Sequence, residues 1–204
     1  MTPGRPRDRR VDAAVISATR ELLLENTLAN LTVEAVAARA GVGKAAIYRR
    51  YSSKMHLVFA ATIHGAEIEA PGDSGSLHGD LVALLSEIAA SLANPVARQV
   101  VPALLMEMSA DAEVAAGLTQ SYVAREHEVI GEVLRRAVAR GDLPAAPPVA
   151  LAQCLLVGPV FAWIHVLRHD VDASDIETLA TMLVGALQQH AAAADLAEER
   201  HASR

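Results

Sequence analysis

Apolar side chains recur along most of this chain at the three-to-four-residue spacing of an α-helix. Val11, Ala14, Val15, Ala18 and Leu22 form one stripe of a helix ending near Glu25. Residues 26–31 read as a connector. Thr32 is placed as an N-cap, because its hydroxyl can accept from an orphan backbone N–H. Val33–Ala40 reads as a short helix with Val36, Ala37 and Ala40 inward, and Gly41 stands where a left-handed residue closes a helix. Gly41-Val42-Gly43 leaves room only for a tight turn before a second short helix, Lys44–Arg50. Ser52-Ser53 precede a helix predicted from Lys54 to about Glu69, and Pro71–Ser76 is the clearest linker. Beyond it the pattern predicts helices over Leu77–Ala93 and Val96–Met108, with a kink at Pro102. Asp111–Arg140 holds one long helix or two successive ones, and Pro148–His169 a helix interrupted at Gly158-Pro159. A last helix starts at Asp172 or Ser174 and runs to about His190, with fraying from Ala191 onward. No internal repeat and no strand pattern is visible, so an all-α fold is expected.

Composition agrees. Alanine supplies 41 of 204 residues and Phe, Trp and Tyr together only 6, a mix that favours helices and excludes an all-β sandwich or barrel. With 52% hydrophobic and 21% charged residues, wholesale disorder is excluded too. The net charge of −6 argues against a nucleic-acid partner until it is divided along the chain. Residues 1–60 carry 10 Arg or Lys against 5 Asp or Glu (net +5), and residues 61–204 carry 8 against 19 (net −11). A basic head precedes an acidic body. One cysteine, Cys154, excludes a disulfide within the chain. It reads as a buried small hydrophobe, and with no apolar leader at residues 1–7 a cytoplasmic setting is expected. Leu143–Leu167 lacks Asp, Glu, Lys and Arg and is long enough to span a membrane. Its prolines, Gln153 and His165 favour a buried core helix instead.

Helix, glycine turn, helix over Thr32–Tyr51 is the helix-turn-helix pattern, whose second helix enters the major groove of DNA. On that helix Ala46, Ile47 and Arg50 share one side, while Lys44, Ala45, Tyr48 and Arg49 share the other. Cations pair with phosphate or guanine, a tyrosine hydroxyl reaches phosphate, and alanine permits close approach. Arg5 and Arg7 supply a candidate basic arm. A phosphate loop at Gly41-Val42-Gly43-Lys44 fails, because Ala38 stands where that loop needs Gly and Ala45 where it needs Ser or Thr.

The stretch from Leu31 to Lys54, LTVEAVAARAGVGKAAIYRRYSSK, resembles the DNA-binding signature of TetR-family (tetracycline-repressor-like) transcriptional regulators. A weaker likeness to a C-terminal regulatory domain of that family lies around Val138–Leu143 and Leu156–Pro159. The resemblance implies a helix-turn-helix domain at 1–60 and a helical effector-binding and dimerisation domain at 61–204. It places Thr32 at phosphate, Lys44, Ala45, Tyr48 and Arg49 at the groove, and Tyr51 and Lys54 at the backbone. Gly43 stands where the family often has Ser, so a hydroxyl is missing from that part of the interface, and Ser52 where it often has Pro.

Other chemistry is sparse. His165 and His169 are four apart, but no third well-spaced ligand follows, so no metal and no cofactor are expected. No catalytic arrangement is recognisable, and an enzyme is not expected. Met106, Met108, Tyr122, Phe161 and Trp163 are candidates for an apolar effector pocket. The uncharged helix and the last helix carry more apolar surface than one small domain hides. Leu155, Val160, Ile164, Leu179 and Leu183 are the candidate residues of a two-fold four-helix dimer interface, which implies a roughly palindromic operator. The expectation is a homodimeric, ligand-responsive DNA-binding regulator, a repressor released by a small apolar effector. The alternative is a helical sensing or protein-interaction module with a vestigial helix-turn-helix.

Overall fold

A computed structural model describes residues 9–62, 70–110, 112, 115–116 and 123–202. The expected Arg5 and Arg7 arm, Tyr122, and the far end of the helix predicted to reach Glu69 lie outside them. Among the described residues the regular structure is helical throughout. The helices are α1 (Arg9–Glu25), α2 (Val33–Ala40), α3 (Lys44–Tyr48), α4 (Lys54–Thr62), α5 (Leu77–Ala93), α6 (Pro95–Ala110), α7 (Ala124–Arg140), α8 (Val149–Phe161) and α9 (Ala173–Ala202). The chain divides into two compact units, 1–67 with 95–118, and 68–94 with 119–204.

In the first unit α1 packs on α2 and α4, and α6 packs on α1 and α4. Val15, Ala18, Leu22, Val36, Ala37, Ile47, Leu57, Val58 and Val100 form its core. Local signals place α2 as the sequence suggests. Thr32 Oγ1 accepts from the Ala35 N–H at 3.1 Å, and Gly41 closes the helix at φ +65°. α4 meets α1 through Arg20, whose Nε donates to the Ala61 carbonyl at 2.6 Å.

The second unit buries α5 against α9, α8 and α7, with α7 also on α8. Leu81, Leu85, Val133, Leu134, Leu156, Val160, Ile164, Ala180 and Leu183 lie in its core. The stretch expected to be a linker is tied down. The Arg136 guanidinium donates to the Pro71 carbonyl at 2.9 Å. Arg140 reaches Asp73 at 2.6 Å, and Asp80 and Asp142 at 3.0 Å each. Asp80 is fully buried and accepts from both the N–H and the hydroxyl of Ser74 at 2.8 and 2.7 Å. Burial pushes the Asp80 carboxyl up, but those two donors and the Arg140 guanidinium outweigh it and hold the carboxyl below its ordinary range.

Three expectations for the second unit are corrected. The uncharged helix is not a buried core helix. Only one stripe of it faces inward, at Ala152, Leu156, Val160 and Ile164, and Cys154 is exposed rather than buried. Those inward positions are four apart, a spacing that drifts around a straight helix. After Pro159, which cannot donate a backbone hydrogen bond, the helix widens into a π-turn over Ala162–Val166. The last helix continues past His190 to Ala202, because Ala191–Ala194 has the strongest helix propensity and neither Gly nor Pro follows. Finally, Val160, Ile164, Leu179 and Leu183 belong to the unit's own core, so they are not available as an intermolecular surface. Leu155 is half-buried and packs against the same core. The apolar surface left outside on α8 and α9 is instead Leu151, Cys154 and Met182, the last 67% exposed.

Candidate nucleic-acid interface

α3 has five residues, too few to hold a helix in water without tertiary support. Ile47 supplies that support: it is 1% exposed within the first unit's core. Arg50, just past the helix, ties the segment to α1. Its Nε meets Asp12 Oδ1 at 2.5 Å, and its Nη1 donates to the Ala46 carbonyl at 3.0 Å. Gly43 is the N-cap residue of α3 in extended conformation and offers no side-chain cap, so the Ala46 N–H is met by the Gly43 carbonyl at 2.8 Å.

With Ile47 turned inward, Lys44, Ala45, Tyr48 and Arg49 are all exposed. The face drawn from spacing alone is therefore brought together on one side of α3. Tyr48 is 53% exposed, far more than a core tyrosine would be. Thr32 is exposed at the start of α2, but its hydroxyl already accepts from the Ala35 N–H. Tyr51 and Lys54 are placed differently. Tyr51 is 9% exposed and packs in the core, its ring edge-on to His56 at 5.6 Å. Lys54 Nζ donates to the Leu28 and Leu31 carbonyls at 3.0 Å each. Both side chains serve the fold of the head in this structure. Arg39 does as well, gripping Glu25 through both guanidinium nitrogens at 2.9 and 2.8 Å. Spacing did not reveal the ion pair between Lys44 Nζ and Glu34 Oε1 at 2.8 Å, because the partners are ten residues apart on different helices.

Residues 15–61 match the family model described as bacterial regulatory proteins, tetR family. Residues 71–183, more than half of the chain, match the tetracyclin repressor-like C-terminal domain. The chain belongs to the TetR family. It is a helix-turn-helix transcriptional regulator with an all-α fold, as its resemblance implied. An uncharacterized HTH-type transcriptional regulator of Mycobacterium tuberculosis, Rv1556, is 33% identical over 146 residues, covering 71% of this chain and 69% of that protein. YdeS of Bacillus subtilis, also an uncharacterized HTH-type regulator, is 28% identical over 178 residues, covering 86% and 89%. Among solved structures, the TetR family transcription regulator SCO0332 superposes with a TM-score of 0.74 at 29% identity, covering 86% of this chain and 97% of that one. GusR of Salmonella enterica shares the fold, with a TM-score of 0.61 at 19% identity over 89% and 97% of the two chains.

The residues proposed to line an effector pocket are not brought together in one unit. Met106, 77% exposed, and Met108 are on α6 in the first unit, whereas Phe161 and Trp163 are in the second. Phe161 stacks on His165 at 5.0 Å, and Trp163 packs against the core with its ring 6.3 Å from that of His169. A small cavity of the second unit lies elsewhere, between α5, α7, α8 and α9. Its lining includes Leu81, Leu84, Ile130, Leu134, Leu155 and Leu183, and it has room for about one water molecule. Among the described residues, no three His, Cys, Asp or Glu side chains stand close enough together to hold a metal ion.

Proposed function

We propose that this TetR-family regulator is a repressor that binds a roughly palindromic operator as a homodimer and leaves it when a small apolar effector binds the second unit. The observation that carries the DNA-contact reading is the outward face of α3, with Lys44, Ala45, Tyr48 and Arg49 exposed together on a helix held from behind by Ile47. The net +5 of residues 1–60 concentrates positive charge on the segment that holds the helix-turn-helix, and the net −11 of residues 61–204 makes that segment the one that attracts phosphate. Arg5 and Arg7 supply two of the positive charges counted in residues 1–60.

The dimer reading rests on α8. Val149–Val166 has the length and mean hydropathy (1.9) of a membrane span, yet only 22% of it is buried within the chain. A second copy laying its own α8 and α9 across Leu151, Cys154 and Met182 removes that surface from water. The same α3 face with two-fold symmetry then presents two reading helices to one duplex in the cytoplasm. The effector reading draws on the leucine-lined cavity, whose apolar wall suits an apolar molecule once it opens. An effector acts only through preferring the form of the dimer that does not fit DNA.

Gel-shift titration of Lys44→Ala and Tyr48→Ala against wild type tests the assignment. Both are expected to bind operator DNA more weakly while helicity and oligomeric state stay unchanged. Undiminished affinity in both variants would remove α3 from the interface. Neutralising Arg5 and Arg7 together is expected to flatten the dependence of affinity on salt, by about one unit of slope for each phosphate that is no longer neutralised.

A further inference from the structure

The two cations on the outward face of α3 are in different states. The Arg49 guanidinium forms no hydrogen bond or ion pair among the described residues. Lys44 is already engaged, its Nζ 2.8 Å from Glu34 Oε1, with both side chains more than half exposed. The hydrogen bond with Lys44 holds the Glu34 carboxyl below its ordinary range, and the same bond raises the Lys44 ammonium. Glu34 also sits in the first turn of α2, next to the free N–H groups of a helix start, the end that attracts anions. One carboxylate thus occupies two positive features of the head, an ammonium and a helix N-terminus. Nothing in the packing requires it there, since the side chain is exposed and the core of the head is complete without it.

We propose that Glu34 is a built-in competitor for the DNA phosphate at Lys44, and so sets how tightly the regulator holds a duplex. The proposal rests on the reading that Lys44 faces DNA. In the free protein Glu34 stands in for a phosphate oxygen, accepting from the same ammonium at hydrogen-bond distance. On binding, the phosphate must displace the carboxylate from the Lys44 ammonium, and breaking that pair is the cost that lowers the affinity. The affinity is lower than the same reading face would give without it. Arg49, with no such competitor, contributes its full charge. Exposed ion pairs span roughly one- to fivefold in an equilibrium constant, so the effect is one of tuning.

The test is a double-mutant cycle on the full chain, with a short duplex enriched from random sequence by the wild-type protein as the probe. Glu34→Gln is expected to tighten binding about two- to fivefold at low salt, with the gain shrinking as salt rises. In a Lys44→Ala background the same substitution is expected to change nothing. Unchanged or weaker binding by Glu34→Gln would overturn the proposal. So would a gain that persists without Lys44, since Glu34 would then repel the backbone on its own. Lys44→Ala that binds as wild type is a separate result: it removes Lys44 from the DNA and overturns both the proposal and the reading beneath it. Glu34→Asp keeps a negative charge at the start of α2 but withdraws the carboxylate by one methylene. It decides the matter if the glutamine variant loses helicity, and is expected to give a smaller gain in the same direction.

Discussion

Ile47 is the side chain on which the reading face depends, and removing its bulk tests that dependence. α3 has five residues and cannot hold its shape alone, so its position comes from the buried side chain and the Asp12–Arg50 pair behind it. Ile47→Ala deletes three carbon atoms from a site that is 1% exposed. At about 0.8 kcal/mol per methylene this removes about 2.4 kcal/mol, and incomplete collapse of the cavity brings the loss to about 3–4 kcal/mol. For a chain of this length that lowers the melting temperature by about 6–15 °C. Ile47→Val, which removes one methyl, is expected to cost about 1 kcal/mol. Tyr48→Ala provides the contrast. Tyr48 is the next residue but points outward, so its loss leaves the melt nearly unchanged and weakens DNA binding. Circular dichroism melts of the three variants, read with fluorescence anisotropy on a labelled operator, separate the two roles. An Ile47→Ala protein melting within about 2 °C of wild type would refute the claim that this side chain seats the helix.

Three further outcomes follow from the geometry. Gly41 turns the chain at φ +65°, and a Cβ there would meet nothing within 4 Å, so the cost of Gly41→Ala is backbone strain alone, about 1–2 kcal/mol in a denaturant titration. The Asp80 carboxyl is depressed in the folded state, so its contribution is present above the unfolded carboxylate range and is lost as pH falls below about 4. Thermal melts of Asp80→Asn against pH should lack that part of the acid loss. Leu151→Glu with Met182→Glu places charge on the exposed apolar face of α8 and α9, and sedimentation is expected to show a folded monomer.

The helix-turn-helix was legible because its signals are local. A hydroxyl N-cap at Thr32, a left-handed closure at Gly41 and one apolar anchor at Ile47 each act within a turn or two of chain. The exposure of Lys44, Ala45 and Tyr48 on α3, and of Arg49 at its C-cap, follows from helical geometry once Ile47 faces inward. The roles of Tyr51 and Lys54 were not legible, because a buried ring and a lysine satisfying the Leu28 and Leu31 carbonyls depend on packing across the unit. The Glu34–Lys44 and Asp12–Arg50 pairs escaped for the same reason. In α8 and α9, apolar content alone does not say which face meets the chain's own core. Val160, Ile164, Leu179 and Leu183 are as apolar as an interface requires, yet they face inward. The Pro71–Ser76 run carries turn residues, and the bonds that hold it from Arg136 to Pro71 and from Arg140 to Asp73 span 65 and 67 residues, beyond the reach of a local pattern.

The central claim is that two copies of α3 read one duplex. Its most direct test is selection of duplexes from a random pool by the purified wild-type chain, with the mass of the protein–DNA complex measured on the enriched sequence. The account predicts inverted half-sites with centres one helical turn or a multiple apart, about 34–36 Å per turn, occupied by an even number of chains. An enriched sequence without two-fold symmetry, held by a single chain, would contradict it.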